Sequence, residues 1–340
     1  MLISVIVPCR NEKNYIKEFI HSVLNQELSP ENEIEIIIAD GQSDDGTFEI
    51  IQSLISVHSE IKLIENSKKK TAAGLNKCIE LAKGEVIVRM DVHAEYSSNY
   101  INECVKTLKE QSADNVGGPV DVKYKTRTQQ LIGMVFQSPI AVGGSRFHDI
   151  DYSGYVDTVT FGCWWKESFD QFGLFDEELE RNQDDEHNLR ISKGGGKIYQ
   201  SHLIKSWYYP RSSIRDLWNQ YMQYGYWKVR VIQKHKIPAS IRHLVPGSFV
   251  LFLLLAGPLS FFNLYIQWLF IITLGLYLSI ISIESVRLII RNRASLFNLP
   301  NMPIIFFAYQ ISYGLGFLMG VFDFLILKSR KSGRLKNLTR

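Results

Sequence analysis

Acidic residues cluster at three places where a short apolar run gives way to a turn or a helix. Asp40-Gly-Gln-Ser-Asp-Asp-Gly-Thr47 follows one such run. A strand-end carboxylate and the amides of a glycine-rich turn can hold a base and a ribose by hydrogen bonds. The same residues also suit an Asx-rich turn that caps a helix at Thr47. Asp91-Val-His93 ends a second run. A carboxylate and an imidazole two residues apart can both reach a divalent ion, and this ligand pair suits Mn2+ or Mg2+ bridging a diphosphate. Such an ion offsets charge on a departing nucleotide. A carboxylate capping the next turn is the plain alternative. Asn182-Gln-Asp-Asp-Glu-His-Asn-Leu-Arg190 gathers acids before a short helix. One carboxylate there can take a proton from an acceptor hydroxyl. Acids placed to suit a helix dipole are the competing explanation. Lys193-Gly-Gly-Gly-Lys197 lacks the spacing of a phosphate-binding loop and follows a helix, so it reads as a helix stop.

The elements that must position these groups alternate. Residues 2–8, 35–40, 61–65 and 85–90 read as strands, and the first is a β-branched run closed by proline. Residues 14–25, 47–57, 71–83 and 98–111 read as helices. Strands and helices at this spacing predict an α/β fold with a largely parallel sheet covered on both faces. Ligands of such sheets sit beyond the carboxyl ends of the strands, where Asp40 and Asp91 fall. Residues 117–206 are less periodic, rich in glycine and aromatics, and suit the acceptor half of a site. Residues 212–233 predict an amphipathic helix carrying Trp218, Tyr221, Tyr224 and Trp227.

The formal charge of +3 on 340 residues gives no surface-wide basic field, so nucleic acid is not an expected partner. Cys9, Cys78, Cys104 and Cys163 form no CxxC pair, which argues against zinc or redox motifs and for buried free thiols in a reducing compartment. The opening residues run straight into a polar loop rather than a secretory leader, so the first domain is expected in the cytoplasm.

Beyond residue 244 the chain turns strongly apolar. Residues 245–262 and 264–283 each approach the ~20 residues that span a bilayer. Residues 302–327 form a third stretch, interrupted by glycines and carrying Asp323. Arg287, Arg291 and Arg293 follow the second stretch. Lys328, Arg330, Lys331, Arg334, Lys336 and Arg340 follow the third. The positive-inside rule places both basic segments in the cytoplasm, which predicts an even number of crossings. The third stretch is then expected to be re-entrant or interfacial. A buried soluble helical core is the alternative. The expected division is a cytoplasmic domain over 1–235, membrane helices over 236–327 and a basic cytoplasmic tail over 328–340.

Taken in order, Ser4-Val-Ile-Val-Pro-Cys-Arg-Asn-Glu12, Asp40 to Thr47, Ala72-Ala-Gly-Leu-Asn76, Asp91-Val-His93, the Asp184 cluster and Gln223-Tyr-Gly-Tyr-Trp-Lys228 resemble glycosyltransferase family 2, the inverting enzymes of GT-A fold. The resemblance covers about residues 1–235 and looks closest to the exopolysaccharide branch with the succinoglycan-type glucosyltransferases. It implies that Pro8 and Glu12 line a nucleotide pocket and that Asp40 binds the uracil side. Gly74 and Asn76 would pack beside the nucleotide. Asp91 would bind the diphosphate and its metal, with His93 where the family usually has a second aspartate. Asp184 would be the base, with Asp185 as its neighbour. The 223–227 segment lacks the arginine of the Q-x-x-R-W motif of processive synthases. The resemblance further implies a UDP-sugar donor, Mn2+ or Mg2+, inversion by a single displacement, and a multi-pass protein of the inner cell membrane whose catalytic domain faces the cytoplasm. The expected acceptor is a lipid-linked saccharide, such as an undecaprenyl-diphosphate oligosaccharide of a surface polysaccharide or exopolysaccharide. A polyprenyl phosphate is the alternative acceptor. A non-catalytic component of polysaccharide export and a nucleotidyltransferase are the rival classes. An acidic cluster fits the first poorly, and Pro8-Cys-Arg-Asn-Glu12 is not the basic glycine-rich loop of the second.

Overall fold

The strands are β1 Leu2–Cys9, β2 Glu33–Asp40, β3 Ile61–Glu65, β4 Val86–Arg89, β5 Ala94–Tyr96, β6 Asn115–Gly117, β7 Val120–Val122, β8 Gly154–Tyr155, β9 Cys163–Trp165, β10 Ile198–Gln200 and β11 Ser206–Tyr208. The α-helices are α1 Ile16–Leu24, α2 Thr47–Ile55, α3 Thr71–Leu81, α4 Tyr100–Glu110, α5 Arg127–Phe136, α6 Pro139–Val142, α7 Glu167–Phe172, α8 Gln183–Lys193, α9 Ile214–His235, α10 Val245–Leu259, α11 Leu264–Arg291 and α12 Asn301–Gly320. These come from a computed structural model that describes residues 1–238, 240–328 and 335. Met1–Asp121 with Asp149–Tyr208 form one unit, and Val122–His148 with the chain from Tyr209 form a second.

The main sheet of the first unit runs β3-β2-β1-β4-β9-β6-β10-β8. β1 pairs in parallel with β2 and β4, and β2 with β3. β9 runs antiparallel between β4 and β6, so the sheet is mixed on that side. Strand alternation sorts the apolar residues. Ile3, Val5, Val7, Ile36, Ile38, Val86 and Val88 pack with α1, α2 and α4 on one face. Ile6, Ile37, Ala39 and Ile87 pack with α3, α7 and Ile191 of α8 on the other. Burial on both faces explains why these strands read as continuous apolar runs. The four cysteines are free and buried, as expected.

In the second unit the 223–228 segment has a packing role. A Cβ on Gly225 would lie 2.0 Å from Tyr313 O, one on Gly316 2.0 Å from Met222 O, and one on Gly320 2.7 Å from Tyr226 O. Only hydrogen at these positions lets α9 and α12 approach backbone to backbone. Tyr226 adds a 2.9 Å hydrogen bond from its hydroxyl to Asp323, which is buried. This seam ties α9 to the apolar helices. The unit that holds the acidic clusters is made of Met1–Asp121 and Asp149–Tyr208.

The third apolar stretch is one continuous helix, α12 prolonged by a π-helical turn Val321–Ile326, and not a re-entrant pair. Its glycines serve packing and do not break it. Ile241–Leu259, Leu264–Arg291 and Asn301–Ile326 are each long and apolar enough to cross a membrane. The third is half buried within the protein, whereas the second is almost wholly exposed, with Tyr265, Trp268 and Ile272 outward. Apart from Lys328, the expected basic tail lies outside the described residues except at Leu335, whose carbonyl accepts from Trp227 Nε1 at 3.2 Å.

Candidate active site

The alternation that sends Ile87 toward α3, α7 and α8 sends Arg89 to the same face, at the carboxyl end of β4. Arg89 is 4% exposed. Its Nε and Nη2 bind Asp91 Oδ1 and Oδ2 at 2.8 and 2.9 Å, a bidentate pair. Its Nη1 donates to Asp184 Oδ1. One buried guanidinium thus joins a carboxylate at a strand end to one in the first turn of α8. Asp184 lies deep in the unit but keeps 37% of its side-chain surface open, and Asp91 keeps 33%. Burial pushes the Asp184 carboxyl up, Arg89 opposes that, and Asp91 and Asp185 push the same way as burial. Burial works against the Arg89 charge, but Asp184 and Asp91 outweigh it and hold the guanidinium firmly protonated.

The turn after β4 is braced from below. Asp91 N donates to Tyr96 Oη at 2.7 Å, and Tyr96 is buried. Asp185 accepts from Thr158 Oγ1 at 3.3 Å, and Asn188 Nδ2 donates to that same hydroxyl at 2.9 Å. In the same helix Glu186 forms two 2.9 Å contacts with Arg190, which also donates to Leu174 O at 2.6 Å. The neighbouring acids of α8 therefore have structural partners, and Asp184 is the one tied to the strand-end group. Asn182 before them takes a left-handed conformation, φ 64°, which turns the chain into the helix.

His93 pairs with Glu12. Its Nε2 lies 2.8 Å from Glu12 Oε1, and its ring meets Tyr15 edge-on at 5.2 Å. Glu12 is 6% exposed, and its Oε2 has no hydrogen-bond partner. Leaving a carboxylate oxygen buried and unpaired is costly, so this atom is an acceptor in wait for a donor group.

Asp40 ends β2 beside Cys9 of β1, and Pro8 stands opposite Ala39. The Asp40 carboxylate is buried and accepts from Ser43 N at 3.0 Å and Ser43 Oγ at 2.5 Å. Ser43 Oγ in turn accepts from Asn11 N at 2.8 Å, and Glu12 N donates to Thr47 Oγ1 at 2.7 Å. The 40–47 turn is thereby laced to the 9–13 turn. Within the turn Asp45 accepts from Thr47 N at 3.0 Å, a local Asx-type bond at the start of α2, whose N-cap residue is Gly46.

Gly74 and Asn76 hold neighbouring segments in place. A Cβ on Gly74 would come within 2.9 Å of Asn66 Nδ2 and 3.2 Å of Ala39 Cβ, so its absence seats α3 on β2. Asn76 spends both ends of its amide on the Phe175 backbone, each at 2.9 Å, and reaches Glu177 Oε1 at 3.2 Å. That clamp fixes the segment leading into α8.

Whether these residues fit a divalent ion turns on Asp91. Among the described residues no three His, Cys, Asp or Glu side chains are grouped as a cage. Asp91 still presents open carboxylate surface. An ion held there would have to complete its shell from the diphosphate of a donor and from water, which is the habit of Mg2+ and of similar hard cations. Asp91, whose oxygens already accept from Arg89, is the side chain that would face such an ion, and His93 is paired with Glu12.

Arg89 is the residue that motif reading missed. The signal was a lone charge inside the run Val86-Ile-Val-Arg-Met90, since an arginine in a two-face-buried strand must find acids.

The profile of Glycosyl transferase family 2 matches residues 4–164. A Methanococcus voltae protein, dolichyl N-acetyl-alpha-D-glucosaminyl phosphate 3-beta-D-2,3-diacetamido-2,3-dideoxy-beta-D-glucuronosyltransferase, is 30% identical over 94% of this chain and 97% of its own length. The succinoglycan biosynthesis protein ExoA of Rhizobium meliloti is 26% identical over 80% of this chain and 81% of its own. The mannosyltransferase PcManGT from Pyrobaculum calidifontis, solved with GDP-Man and Mn2+, superposes over 93% of this chain and 86% of its own with a TM-score of 0.58 at 16% identity, a likeness of fold.

Proposed function

Because the chain belongs to glycosyl transferase family 2 and is a glycosyltransferase of GT-A-like fold, we propose that it transfers a sugar from a UDP-sugar to a lipid-linked saccharide by a single displacement that inverts the anomeric carbon. The observation that carries this reading is the Arg89 bridge, which brings Asp184 to the same strand-end rim as Asp91.

Asp184 is the base. It removes the proton from the acceptor hydroxyl as that oxygen attacks, and its raised affinity for protons suits the task. Arg89 keeps it ionised and aimed. Asp91 faces the diphosphate, where a bound Mn2+ or Mg2+ would offset charge on the departing UDP. Asp40 and Glu12 serve the base and ribose, and the unpaired Glu12 Oε2 is the acceptor on offer there. Pro8 shapes the floor of that pocket. Gly74 and Asn76 act beside it by position, through the strand and the 175–177 segment they hold. Asp185, bonded to Thr158, supports the first turn of α8.

The lipid-linked acceptor is supported by the acceptor in the Methanococcus voltae relative's name, a dolichyl phosphate-linked sugar, and by the three apolar helices. The enzyme would be multi-pass in the inner cell membrane, with the first unit in the cytoplasm, and would act in surface or exopolysaccharide assembly. The test is a screen of UDP-sugars with purified membranes and extracted polyprenyl-linked saccharides. Transfer from one UDP-sugar to a lipid-linked acceptor supports the reading. Transfer only to a soluble acceptor, or only from a GDP-sugar, overturns it.

A further inference from the structure

Two polar groups of the second unit are buried without partners, and both lie in one short segment. Ser145 is 8% exposed and its Oγ makes no hydrogen bond. His148 is 8% exposed and neither ring nitrogen is bonded. The imidazole is wedged between Phe136, at 4.2 Å between centroids, and Phe147, at 3.7 Å. Aromatic rings hold it in place but offer its nitrogens nothing. Burying both groups unpaired costs free energy that a bound ligand would recover.

An arginine from a distant stretch of sequence packs on the same segment. Gly143, with φ 75°, packs on Arg242: a Cβ there would lie 3.2 Å from Arg242 Cβ. The Arg242 charge is also felt at the imidazole. Burial first and Arg242 second push the His148 pKa down to about 3, so the ring is neutral and has one N–H to donate. A hydroxyl, a neutral imidazole N–H and a nearby guanidinium are donors that an oxyanion can use, and guanidinium matches phosphate in shape and charge.

The place of Arg242 narrows the source of that oxyanion. It stands in the first turn of the apolar segment Ile241–Leu259, beside Ile241 and Val245, which are 78% and 59% exposed. A phosphate bound at Arg242 therefore has apolar surface next to it on which a hydrocarbon chain can lie.

We propose that Ser145, His148 and Arg242 form the site for the phosphate of a polyprenyl-linked acceptor. This rests on the lipid-linked reading above and adds where the lipid's anionic group is held. The site has no part in the displacement. It sets acceptor affinity.

The test uses the full-length protein in detergent micelles, with dolichyl phosphate, dolichol and inorganic phosphate as probes and native mass spectrometry as the readout. Dolichyl phosphate is expected to bind and dolichol to bind at least tenfold more weakly. Arg242→Gln and His148→Phe should each weaken dolichyl phosphate binding at least tenfold, and Ser145→Ala severalfold. His148→Phe keeps an aromatic between Phe136 and Phe147, and an unchanged Tm reports that each variant is folded. Equal binding of dolichol and dolichyl phosphate would overturn the site. Inorganic phosphate binding as tightly as the lipid would overturn the lipid assignment. Acceptor KM separates the two readings. If the wild type transfers sugar to lipid and the variants leave that KM unchanged, this inference fails and the proposed function stands. If no lipid acceptor is used but dolichyl phosphate binding is still lost in Arg242→Gln, the acceptor reading fails and the site remains.

Discussion

Arg89 Nε and Nη2 hold both carboxylate oxygens of Asp91, at 2.8 and 2.9 Å, from a position that solvent barely reaches. The third nitrogen of the same fork is spent on Asp184. A lysine has one point charge and no fork, so it cannot hold both acids in this geometry. Arg89→Met leaves two carboxylates facing each other without their cation. Breaking a buried ion pair costs ~3–5 kcal/mol, and here the open surface of both acids favours about the lower figure. Arg89→Lys should retain more of the stability but lose activity by about the ~10²-fold that marks the low end of acid–base catalysis. Thermal melting and turnover of the two variants check this. A lysine variant as active as the wild type would show that the fork is dispensable.

Asp91 should govern how UDP affinity responds to metal. Wild-type UDP binding is expected to tighten on adding Mn2+ and to weaken with a chelator. Asp91→Ala should flatten that difference. Calorimetric titration of UDP with and without Mn2+ makes the comparison. An Asp91→Ala protein with the full metal response would remove Asp91 from the diphosphate end of the site.

His187 should make the stability of the first unit depend on pH. It is fully buried in α8, stacked on Phe169 at 5.2 Å, with Nε2 3.0 Å from Gly173 O. Burial, with help from Arg190, pushes its pKa from 6.5 down to about 3. Between those values the unfolded chain binds a proton that the folded protein refuses, so stability falls as pH falls through 6.5 toward 3. From pH 7 to 5 the linkage amounts to about 2 kcal/mol. His187→Phe should make stability less sensitive over that interval. Denaturant melts at the two pH values measure it, and an equal slope in both proteins would contradict the account.

The glycine seam predicts an asymmetry between two glycines. Gly225→Ala places a methyl 2.0 Å from Tyr313 O, whereas Gly275→Ala meets nothing within 4 Å. Overpacking costs ~1–3 kcal/mol or more, and alanine in an open helical position is neutral or favourable. Tm in detergent should fall for the first variant alone. Equal Tm values would mean that α9 and α12 do not pack through this seam.

The central strands were legible because burial on both faces writes itself as β-branched runs, and the strand-end positions of Asp40 and Asp91 followed from them. The first turn of α8 was legible as acids at a helix start. What pattern could not supply was partnership. Nothing in the spacing says that Arg89 joins Asp91 to Asp184, that His93 turns to Glu12, or that Asn76 clamps Phe175, because those contacts depend on chain segments far apart in sequence. The strands between residues 115 and 208 are two to three residues long, too short to show a period. The packing role of Gly225 was not legible because a glycine beside aromatics looks alike in a loop and in a close helix crossing. The glycines of the third apolar stretch looked like breaks for the same reason.

The most direct test of the account is Asp184→Asn, which keeps size and hydrogen bonding to Arg89 but cannot accept the acceptor's proton. UDP affinity and single-turnover sugar transfer are measured on the same preparation. UDP binding should be unchanged and transfer slowed by ~10²–10⁴-fold, the usual contribution of a positioned base. Transfer at the wild-type rate with UDP still bound would contradict it.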